Sequence, residues 1–410
     1  MSLKPFNALG KEELAAAMRV IRSGSLSGFY GSWGNEFLGG QEVKAFEKEW
    51  AIRFQVSHAI SVNSAASGLY AAMGAIGIGP GDEVIVPPYT MSATAMAPLI
   101  YGGIPVFVDI EPDTFCLDVE KVIQAFTPKT KAVLAVNLFG HPAELSRLRR
   151  ETQSRGIFLV EDNAQGPLAS EHGKYAGTVG DIGIFSLNYH KHIHTGEGGV
   201  CVTRDPELAL RLQAIRNHAE NIVEPAPIRD PINMIGFNYR MTELSAAVGR
   251  AQLRRIDHLV SERQILAEAL SEGLSGLEGI TVPHVRPECR HVYYVWAFRV
   301  REELGISRET FSQALQKAGF PHFKGYVRPL YFLPAFQKRI AVGREGWPFT
   351  LTDRQYGQGL CPVTERMYEK ELICFETCAY RVDSKARKDL IRAFRSAHAR
   401  RNMVKNTITD

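Results

Sequence analysis

Short apolar runs alternate with amphipathic segments between residues 58 and 203. The runs have the length and β-branched content of strands, and the segments between them have helical spacing. Strands are predicted at 58–62, 83–87, 105–110, 131–138, 157–161, 182–187 and 199–203, with helices at 66–76, up to 100 and up to 150. Continuous apolar strands alternating with helices are typical of a mostly parallel sheet covered on both faces. The pattern therefore predicts an α/β fold.

The first 55 residues are predicted to form a helix, a loop and a second helix. Residues 11–22 carry Leu14, Met18 and Ile21 at helical spacing, and residues 42–54 are helical again. The connecting residues 23–40 are rich in glycine, serine and aromatic side chains. Exposed aromatic residues on a loop are costly unless they are covered. The loop is therefore interpreted either as a lid that contacts substrate or as a plain connection.

The pattern changes towards the C-terminus. One long amphipathic helix is predicted after Thr242, with apolar positions at Leu244, Val248, Ala251, Leu253, Ile256 and Leu259. Residues 293–300 alternate like a half-buried antiparallel strand, and residues 309–318 have helical spacing. We therefore predict a large domain at 1–260 and a smaller α+β domain at 261–410.

Composition and charge exclude several classes of protein. The chain has 410 residues, of which 45% are hydrophobic and 22% charged, as in a globular protein rather than a disordered one. A net charge of +4 gives no reason to expect a nucleic-acid partner, and the basic helix predicted at 385–401 is interpreted as a solvated face, with phosphate or RNA binding less favoured. No segment approaches the ~20 apolar residues of a membrane span, and the first residues lack the apolar stretch of a signal peptide.

Six cysteines occur without a C-x-x-C pair. The arrangement fits neither a zinc site nor a disulfide framework, so reduced thiols and a cytoplasmic location are expected. Cys374 and Cys378 are four residues apart, which would place them on one helical face, but we predict no metal site there.

Three segments at predicted strand ends could carry chemistry. Residues 63–68 (NSAASG) join a strand to a helix, where small residues let backbone N–H groups approach an anion, or simply pack. Asp162 ends an apolar strand and could pair with a cationic ring nitrogen or cap a helix. The loop 186–199 contains Lys191, which is either an imine-forming amine or a surface lysine.

Three histidines flank that lysine. His190, His192 and His194 alternate, so an extended backbone would place them on one side. A metal site would need a further ligand, and none is evident in the sequence. Solvated or substrate-facing histidines are therefore favoured.

Taken together, these segments resemble the DegT/StrS family of pyridoxal-phosphate sugar aminotransferases, which have the aspartate-aminotransferase fold (fold type I). The resemblance covers most of the chain. It is carried most clearly by residues 79–87, 161–165, 195–199 and 236–243. It implies a large cofactor-binding domain with a smaller C-terminal domain, and pyridoxal 5'-phosphate as cofactor, with pyridoxamine 5'-phosphate formed during turnover.

The resemblance also assigns residues around the cofactor ring. Lys191 matches the lysine that forms the Schiff base, Asp162 matches the aspartate that pairs with the ring nitrogen, and Gln165 matches the residue that contacts the 3-hydroxyl. The family has an aromatic residue on the ring face where this chain has Met91. A thioether can pack against a ring, and Tyr89 is the other candidate for this position.

The phosphate cup is matched by Ser186 and by the backbone of Ala65 and Ala66. The family has Gly-Thr at 65–66, so one hydroxyl is missing here, and Ser64 or Ser67 could replace it. Asn238 matches an asparagine that reaches the phosphate from the neighbouring subunit, which implies a homodimer with shared active sites.

The implied reaction moves an amino group, usually from L-glutamate, to a keto-sugar, most simply one linked to a nucleotide. Candidate substrate contacts are Tyr30, Trp33, His192, Lys324 and Tyr326. The alternatives are amination of a free cyclic ketone of the inosose type, a cofactor-dependent sugar dehydratase, and a non-enzymatic binding protein with a vestigial pocket. Some relatives that dehydrate have histidine in place of the lysine, so Lys191 argues against the dehydratase.

Overall fold

A computed structural model describes residues 3–401 of the chain. The strands are β1 Lys4–Pro5, β2 His58–Val62, β3 Glu83–Val86, β4 Ile104–Phe107, β5 Thr130–Val136, β6 Phe158–Asp162, β7 Ser170–Glu171, β8 Lys174–Tyr175, β9 Ile182–Ser186, β10 Gly199–Thr203, β11 Ile280–Thr281, β12 Cys289–Arg290, β13 Val295–Val300, β14 Phe323–Lys324, β15 Leu372–Glu376 and β16 Tyr380–Arg381. The helices are α1 Lys11–Ser23, α2 Gln41–Phe54, α3 Ala65–Ala75, α4 Ala93–Ile100, α5 Val119–Ala125, α6 Leu145–Gln153, α7 Pro206–Arg216, α8 Glu243–Arg254, α9 Ile256–Leu274, α10 Arg308–Lys317, α11 Pro334–Gln337, α12 Pro362–Arg366 and α13 Ser384–Ala399.

A seven-stranded sheet forms the centre of the fold. Its strand order is β2-β10-β9-β6-β5-β3-β4, and every neighbouring pair is parallel except the two that involve β10. The strands are almost entirely buried because helices cover both faces. The predicted α/β fold with a mostly parallel sheet is confirmed, and all seven predicted strands are present.

The strand ends that carry candidate chemistry meet at one edge of this sheet. Gly199, the first residue of β10, pairs with Val62 on one side and Ser186 on the other. One strand further, Asp162 pairs with Ile184. The ends of β2, β9 and β6 therefore lie next to one another, where open α/β sheets bind ligands.

A second sheet, with the order β11-β13-β15-β14, shares a core with α10 and α13. Residues 293–300 were expected to form a half-buried strand, but β13 is buried on both faces. Its two sides belong to different cores: Val295 and Ala297 join the core of the large sheet, while Trp296 and Phe298 join the core of the small one. Alternate side chains of β13 therefore face two different hydrophobic cores, and neither face of the strand is exposed to solvent.

The helix predicted after Thr242 is in fact two helices. α8 ends at Arg254 and α9 begins at Ile256. Arg255, at the break, has φ −105° and ψ 2°, and its guanidinium donates 2.9 Å to the buried carboxylate of Glu13. This link to α1 is a tertiary contact that apolar spacing does not reveal.

The two N-terminal helices are confirmed, but the apolar stripe on α1 faces outward. Leu14, Met18 and Ile21 are exposed in the single chain, while Ala16 and Val20 pack against α8. Helical spacing identified the element correctly but did not identify its buried face.

The proposed split at residue 260 remains a prediction. Several contacts cross it: for example, β1 pairs with β16, and Tyr331 and Phe336, from the C-terminal segment, pack in the core of the large sheet. The segments on the two sides of residue 260 are therefore joined by strand pairing and by a shared core.

The cysteine pair is not on a helix. Cys374 lies in β15 and Cys378 in the turn after it, so the helical face expected for them was wrong. All six cysteines are free thiols. Within residues 3–401 there is no cluster of metal-ligating side chains, and none of the helices is both long and apolar enough to cross a bilayer.

Candidate active site

Lys191 lies in a turn after β9, with its amine inside the protein. Only 8% of the residue is exposed, and Nζ is 4.2 Å from the centroid of the Tyr294 ring. Burial lowers the pKa of Lys191 to about 8, although the nearby Asp162 opposes the shift. A buried amine with a lowered pKa is suited to act as a nucleophile and base. The surface-lysine interpretation is therefore wrong.

Asp162 ends β6 and is 5% exposed. One carboxylate oxygen accepts a hydrogen bond of 3.1 Å from the backbone N–H of Ala164, and the other accepts 2.9 Å from the hydroxyl of Thr94 on α4. Burial raises the pKa of Asp162, while these hydrogen bonds and the charge of Lys191 lower it. No helix begins at Asp162, so the helix-cap interpretation is wrong.

Gln165 is held at both ends of its side-chain amide. Its oxygen accepts 2.8 Å from the backbone N–H of Phe139, and its nitrogen donates 2.8 Å to the hydroxyl of Tyr326. Tyr326 also packs edge-on against Phe139. Gln165 and Tyr326, two predicted site residues from different parts of the chain, are thus in direct contact.

The start of α3 faces Ser186 across Gly199. A methyl group at residue 199 would lie 2.7 Å from the amide nitrogen of Ala65, so only glycine lets these segments approach so closely. The Ser186 hydroxyl accepts 3.3 Å from the backbone N–H of Asn188, which leaves its own proton available. The helix start and this hydroxyl form a cradle of donors, as an anion requires.

Ser64 and Ser67 do not contribute hydroxyl protons to this cradle. Ser64 caps α3 by accepting 3.0 Å from the backbone N–H of Ser67, and the two hydroxyls are 2.8 Å apart. The Ser67 hydroxyl donates 2.6 Å to Asn63. Both protons are therefore used within the cap, and the donors at the helix start are the backbone N–H groups of Ala65 and Ala66.

Two of the predicted cofactor residues lie at the surface of the single chain. Met91 is 54% exposed, in the turn that leads to α4. Asn238 is also exposed; its side chain accepts 2.8 Å from Nε of Arg240, and its carbonyl accepts 3.3 Å from Asn63. The predicted contacts of Met91 and Asn238 with cofactor remain predictions.

The aromatic loop 23–40 is partly anchored. The side-chain amide of Asn217 donates to the carbonyls of Tyr30 and Phe37, at 2.8 and 3.2 Å. Phe37 is buried, whereas Tyr30 is 59% exposed and Trp33 is partly exposed. The loop is therefore fixed at its base, with Tyr30 and Trp33 free to contact a ligand.

The three histidines do not share a side. The backbone N–H of Lys191 bonds to the carbonyl of Asn188, which makes a turn rather than an extended segment. His190 is exposed and His194 half-buried. His192 is buried, its Nε2 is 2.8 Å from the carbonyl of Val292, and burial lowers its pKa to about 3. It is neither solvated nor facing an open cleft, contrary to the expectation.

Lys324 is directed away from this site. Its ammonium donates 2.8 and 2.6 Å to the two carboxylate oxygens of Glu309, on α10 of the small unit. Gly325 follows with φ +62°, which turns the chain so that Tyr326, and not Lys324, reaches Gln165. The predicted substrate contact of Lys324 is not supported by this placement.

Two residues at the site were not predicted. Thr94 holds Asp162 from 68 residues away, and the Tyr294 ring covers the amine of Lys191. Nothing local in the sequence distinguishes Thr94 from other small residues of α4. The aromatic pair before β13 was a signal for Tyr294, but it was interpreted only as part of a strand.

The residues present fit pyridoxal phosphate. They comprise a buried amine, a buried carboxylate and an anion cradle that a side chain at Gly199 would fill. Lys191 would hold an aldehyde, Asp162 a cationic nitrogen, and the start of α3 with Ser186 a phosphate. Together the fold and this site define a pyridoxal-phosphate enzyme of fold type I.

Comparison with known proteins identifies the family. The model of the DegT/DnrJ/EryC1/StrS aminotransferase family matches residues 31–373, and the chain belongs to this family. The expected fold type, cofactor and aminotransferase class are thereby confirmed.

Three relatives illustrate its range. GDP-perosamine synthase of Caulobacter vibrioides is 35% identical over 72% of this chain and 79% of that protein. L-glutamine:2-deoxy-scyllo-inosose aminotransferase of Streptoalloteichus tenebrarius is 34% identical over 81% of this chain and 80% of that protein. The crystal structure of DesV from S. venezuelae, in complex with a ketimine intermediate, superposes with a TM-score of 0.80 at 31% identity over 94% of both chains.

Proposed function

We propose that the enzyme transfers an amino group from L-glutamate to a keto-sugar linked to a nucleotide, in amino-sugar biosynthesis. The observation that carries this proposal is the buried amine of Lys191 next to the buried carboxylate of Asp162. The keto-sugar is supported by the family and by GDP-perosamine synthase among the relatives.

In this proposal Lys191 and Asp162 are the catalytic residues. Bound pyridoxal phosphate supplies an electron sink next to the reacting carbon. Asp162 would keep the ring nitrogen of the cofactor protonated because an opposite charge within a few ångströms favours a cation. Lys191 would hold the cofactor's aldehyde, and its amine would take the proton from the Cα of the donor amino acid. A pKa of about 8 leaves an appreciable fraction of the amine neutral near pH 7.5.

The other proposed contacts surround these two residues. Gln165 faces the 3-hydroxyl of the cofactor, Ser186 and the first N–H groups of α3 bind its phosphate, and Met91 packs on the ring face. Tyr30, Trp33 and Tyr326 are the substrate-side residues, since two are exposed on an anchored loop and the third contacts Gln165.

We propose a homodimer in which Asn238 completes the site of the partner subunit. Asn238 is exposed in the single chain, and the same segment carries Ile232 and Ile235, both more than half exposed. Exposed apolar side chains next to a binding site are typical of an interaction surface. The six free thiols are consistent with work in the reducing cytoplasm.

A second candidate is a transaminase for a free cyclic ketone, which the similarity to the inosose aminotransferase favours. The test offers glutamate or glutamine to the purified enzyme with keto-sugar nucleotides or with 2-deoxy-scyllo-inosose. Release of the 2-oxo acid is followed, with Lys191→Ala as the blank. We expect turnover with a nucleotide-linked ketone; turnover with the inosose alone would support the second candidate.

The same assay separates the remaining alternatives. A dehydratase would consume the keto-sugar without releasing a 2-oxo acid from the donor. A binding protein with a vestigial pocket would be colourless and would trap no cofactor on reduction with borohydride. Either result would overturn the proposed transamination.

A further inference from the structure

The amine of Lys191 lies over the face of the Tyr294 ring. Nζ is 4.2 Å from the ring centroid, and both residues are 8% exposed. Among the described residues, no hydrogen bond or ion pair holds this amine. The face of an aromatic ring attracts an ammonium group, and the attraction strengthens when both are desolvated. The contact with the Tyr294 ring can therefore hold the protonated amine of Lys191 in position.

The backbone around this ring is held in an unusual conformation. Tyr293 has φ +49°, a left-handed conformation that is unfavourable for a residue with a Cβ. The buried hydroxyl of Thr377 bonds to the carbonyl of Tyr293 and is 3.2 Å from that of Tyr294. Thr377 follows β15, so the small sheet holds the ring through the backbone.

The neighbouring residue ties the same segment to the lysine turn. The carbonyl of Val292 lies 2.8 Å from Nε2 of His192, the residue after Lys191, and its N–H donates 3.0 Å to the carbonyl of Gly140. Residues 292–294 therefore contact the lysine turn at two points, by this hydrogen bond and by the Tyr294 ring.

Asp162 is the one carboxylate identified next to the amine within the described chain. The titratable groups that face the amine or flank it are Asp162 on β6, His190 and His192 on its own turn, Cys378 after β15, and Tyr294 itself. Burial lowers the pKa of both histidines and raises that of the Cys378 thiol, so these three stay neutral near pH 7. Asp162 makes no ion pair with Lys191 within 4 Å and is positioned by Thr94 and Ala164 instead.

We propose that Tyr294 is a positioning residue whose ring face holds the protonated amine of Lys191. Thr377, which follows β15, fixes the backbone that carries this ring and so links the position of the amine to the small sheet. Loss of the proton removes the attraction and frees the lone pair of the amine, which can then condense with the aldehyde of pyridoxal phosphate with release of water. The proposal rests on Lys191 being the residue that bonds to the cofactor.

The test measures bond formation rather than turnover. Pyridoxal phosphate is added to the cofactor-free enzyme between pH 6 and pH 10, and the absorbance of the protein-bound cofactor gives a rate at each pH. For the wild type we expect the rate to rise with pH and level off above about pH 8, because the neutral amine is the nucleophile.

Tyr294→Leu keeps an apolar side chain but removes the ring. The protonated amine of Lys191 then loses its cation–π contact. The midpoint, meaning the pH at which the bonding rate is half of its plateau, should therefore fall by roughly 0.4 to 1.5 pH units, which corresponds to the free energy of such a contact. The plateau rate should change little, because it is set by the neutral amine, which the ring does not hold. Tyr294→Phe keeps the ring and should match the wild type in both quantities.

A merely structural role would lower the melting temperature without moving the midpoint. Thr377→Val retains the ring but removes its anchor, so it should lower the midpoint by less than Tyr294→Leu does; it also serves as the test if Tyr294→Leu does not fold. An unchanged midpoint in Tyr294→Leu, an equal shift in Tyr294→Phe, or no effect of Thr377→Val on the midpoint would overturn the proposal. Failure of the wild type to bond the cofactor would instead overturn the proposed function.

Discussion

The floor and the rim of the site are built differently. The floor consists of Asp162, Gln165, Ser186 and Lys191, all less than one-tenth exposed and supported from more than one element. The proposed rim consists of Tyr30, Trp33, Met91 and Asn238, which are partly or largely exposed in the single chain. The difference shows that the chain completes the floor by itself, while we expect ligands and a second copy to cover the rim.

The largest effect on turnover and on cofactor binding should come from removing the amine of Lys191, which belongs to the floor. Lys191→Ala should abolish turnover and the protein-bound absorbance of the cofactor, because no other amine is expected to reach that position. Borohydride reduction followed by mass spectrometry measures the bound cofactor. Lys174→Ala, an exposed lysine of β8, is the matched control and should behave like the wild type. An intact absorbance band in Lys191→Ala would show that the floor has been assigned to the wrong residue.

The next largest effect concerns the buried carboxylate. Asp162→Asn should leave cofactor bound but slow proton abstraction about 10²- to 10⁴-fold, because an amide cannot stabilise a cationic ring nitrogen. Single-turnover kinetics with the donor amino acid measure the step. Thr94→Val, which removes one hydrogen bond to Asp162, should cost no more than about tenfold. Full activity of Asp162→Asn would exclude an electrostatic role for this group.

Substitution of Gln165 tests how much the uncharged hydrogen bonds of the floor contribute to cofactor affinity. Gln165→Leu removes the bonds to Phe139 and Tyr326 and should weaken cofactor affinity by about tenfold. Tyr326→Phe breaks one of those bonds and should have a smaller effect. Titration of the cofactor-free enzyme with pyridoxal phosphate measures both. A larger defect in Tyr326→Phe than in Gln165→Leu would place Tyr326 in the floor.

The rim prediction depends on a second subunit. Asn238→Ala should weaken cofactor affinity several-fold, by the loss of one hydrogen bond to a charged group. Mixed dimers of Lys191→Ala with Asn238→Ala then distinguish the two arrangements at limiting cofactor. If Asn238 serves the partner, each mixed dimer keeps one site with both residues intact and binds cofactor there normally. If Asn238 serves its own chain, the only site with an amine is also the weakened one, and normal affinity is not recovered.

Strand ends made half of the floor predictable, because local pattern and main-chain direction are enough to place Asp162 and Ser186 at one edge of a parallel sheet. The roles of Gln165 and Lys191 came from family resemblance and remain to be tested. Thr94 and Tyr294 could not be predicted, since each reaches the site through a tertiary contact. His192 was misplaced because alternation implies a shared side only on an extended backbone, and the lysine turn is not extended.

The smallest expected effect is at Lys324, one of the candidate substrate contacts predicted from the sequence. Its ammonium is satisfied by both oxygens of Glu309 on an exposed face of the small unit. Exposed ion pairs contribute little to stability, and the turn at Gly325 separates Lys324 from Gln165. Lys324→Ala should therefore change the KM for any keto-sugar by less than about twofold, measured beside Glu309→Gln as its matched partner. A large rise in KM for Lys324→Ala alone would mean that Lys324 leaves Glu309 when substrate binds, and the rim would then extend across the small unit.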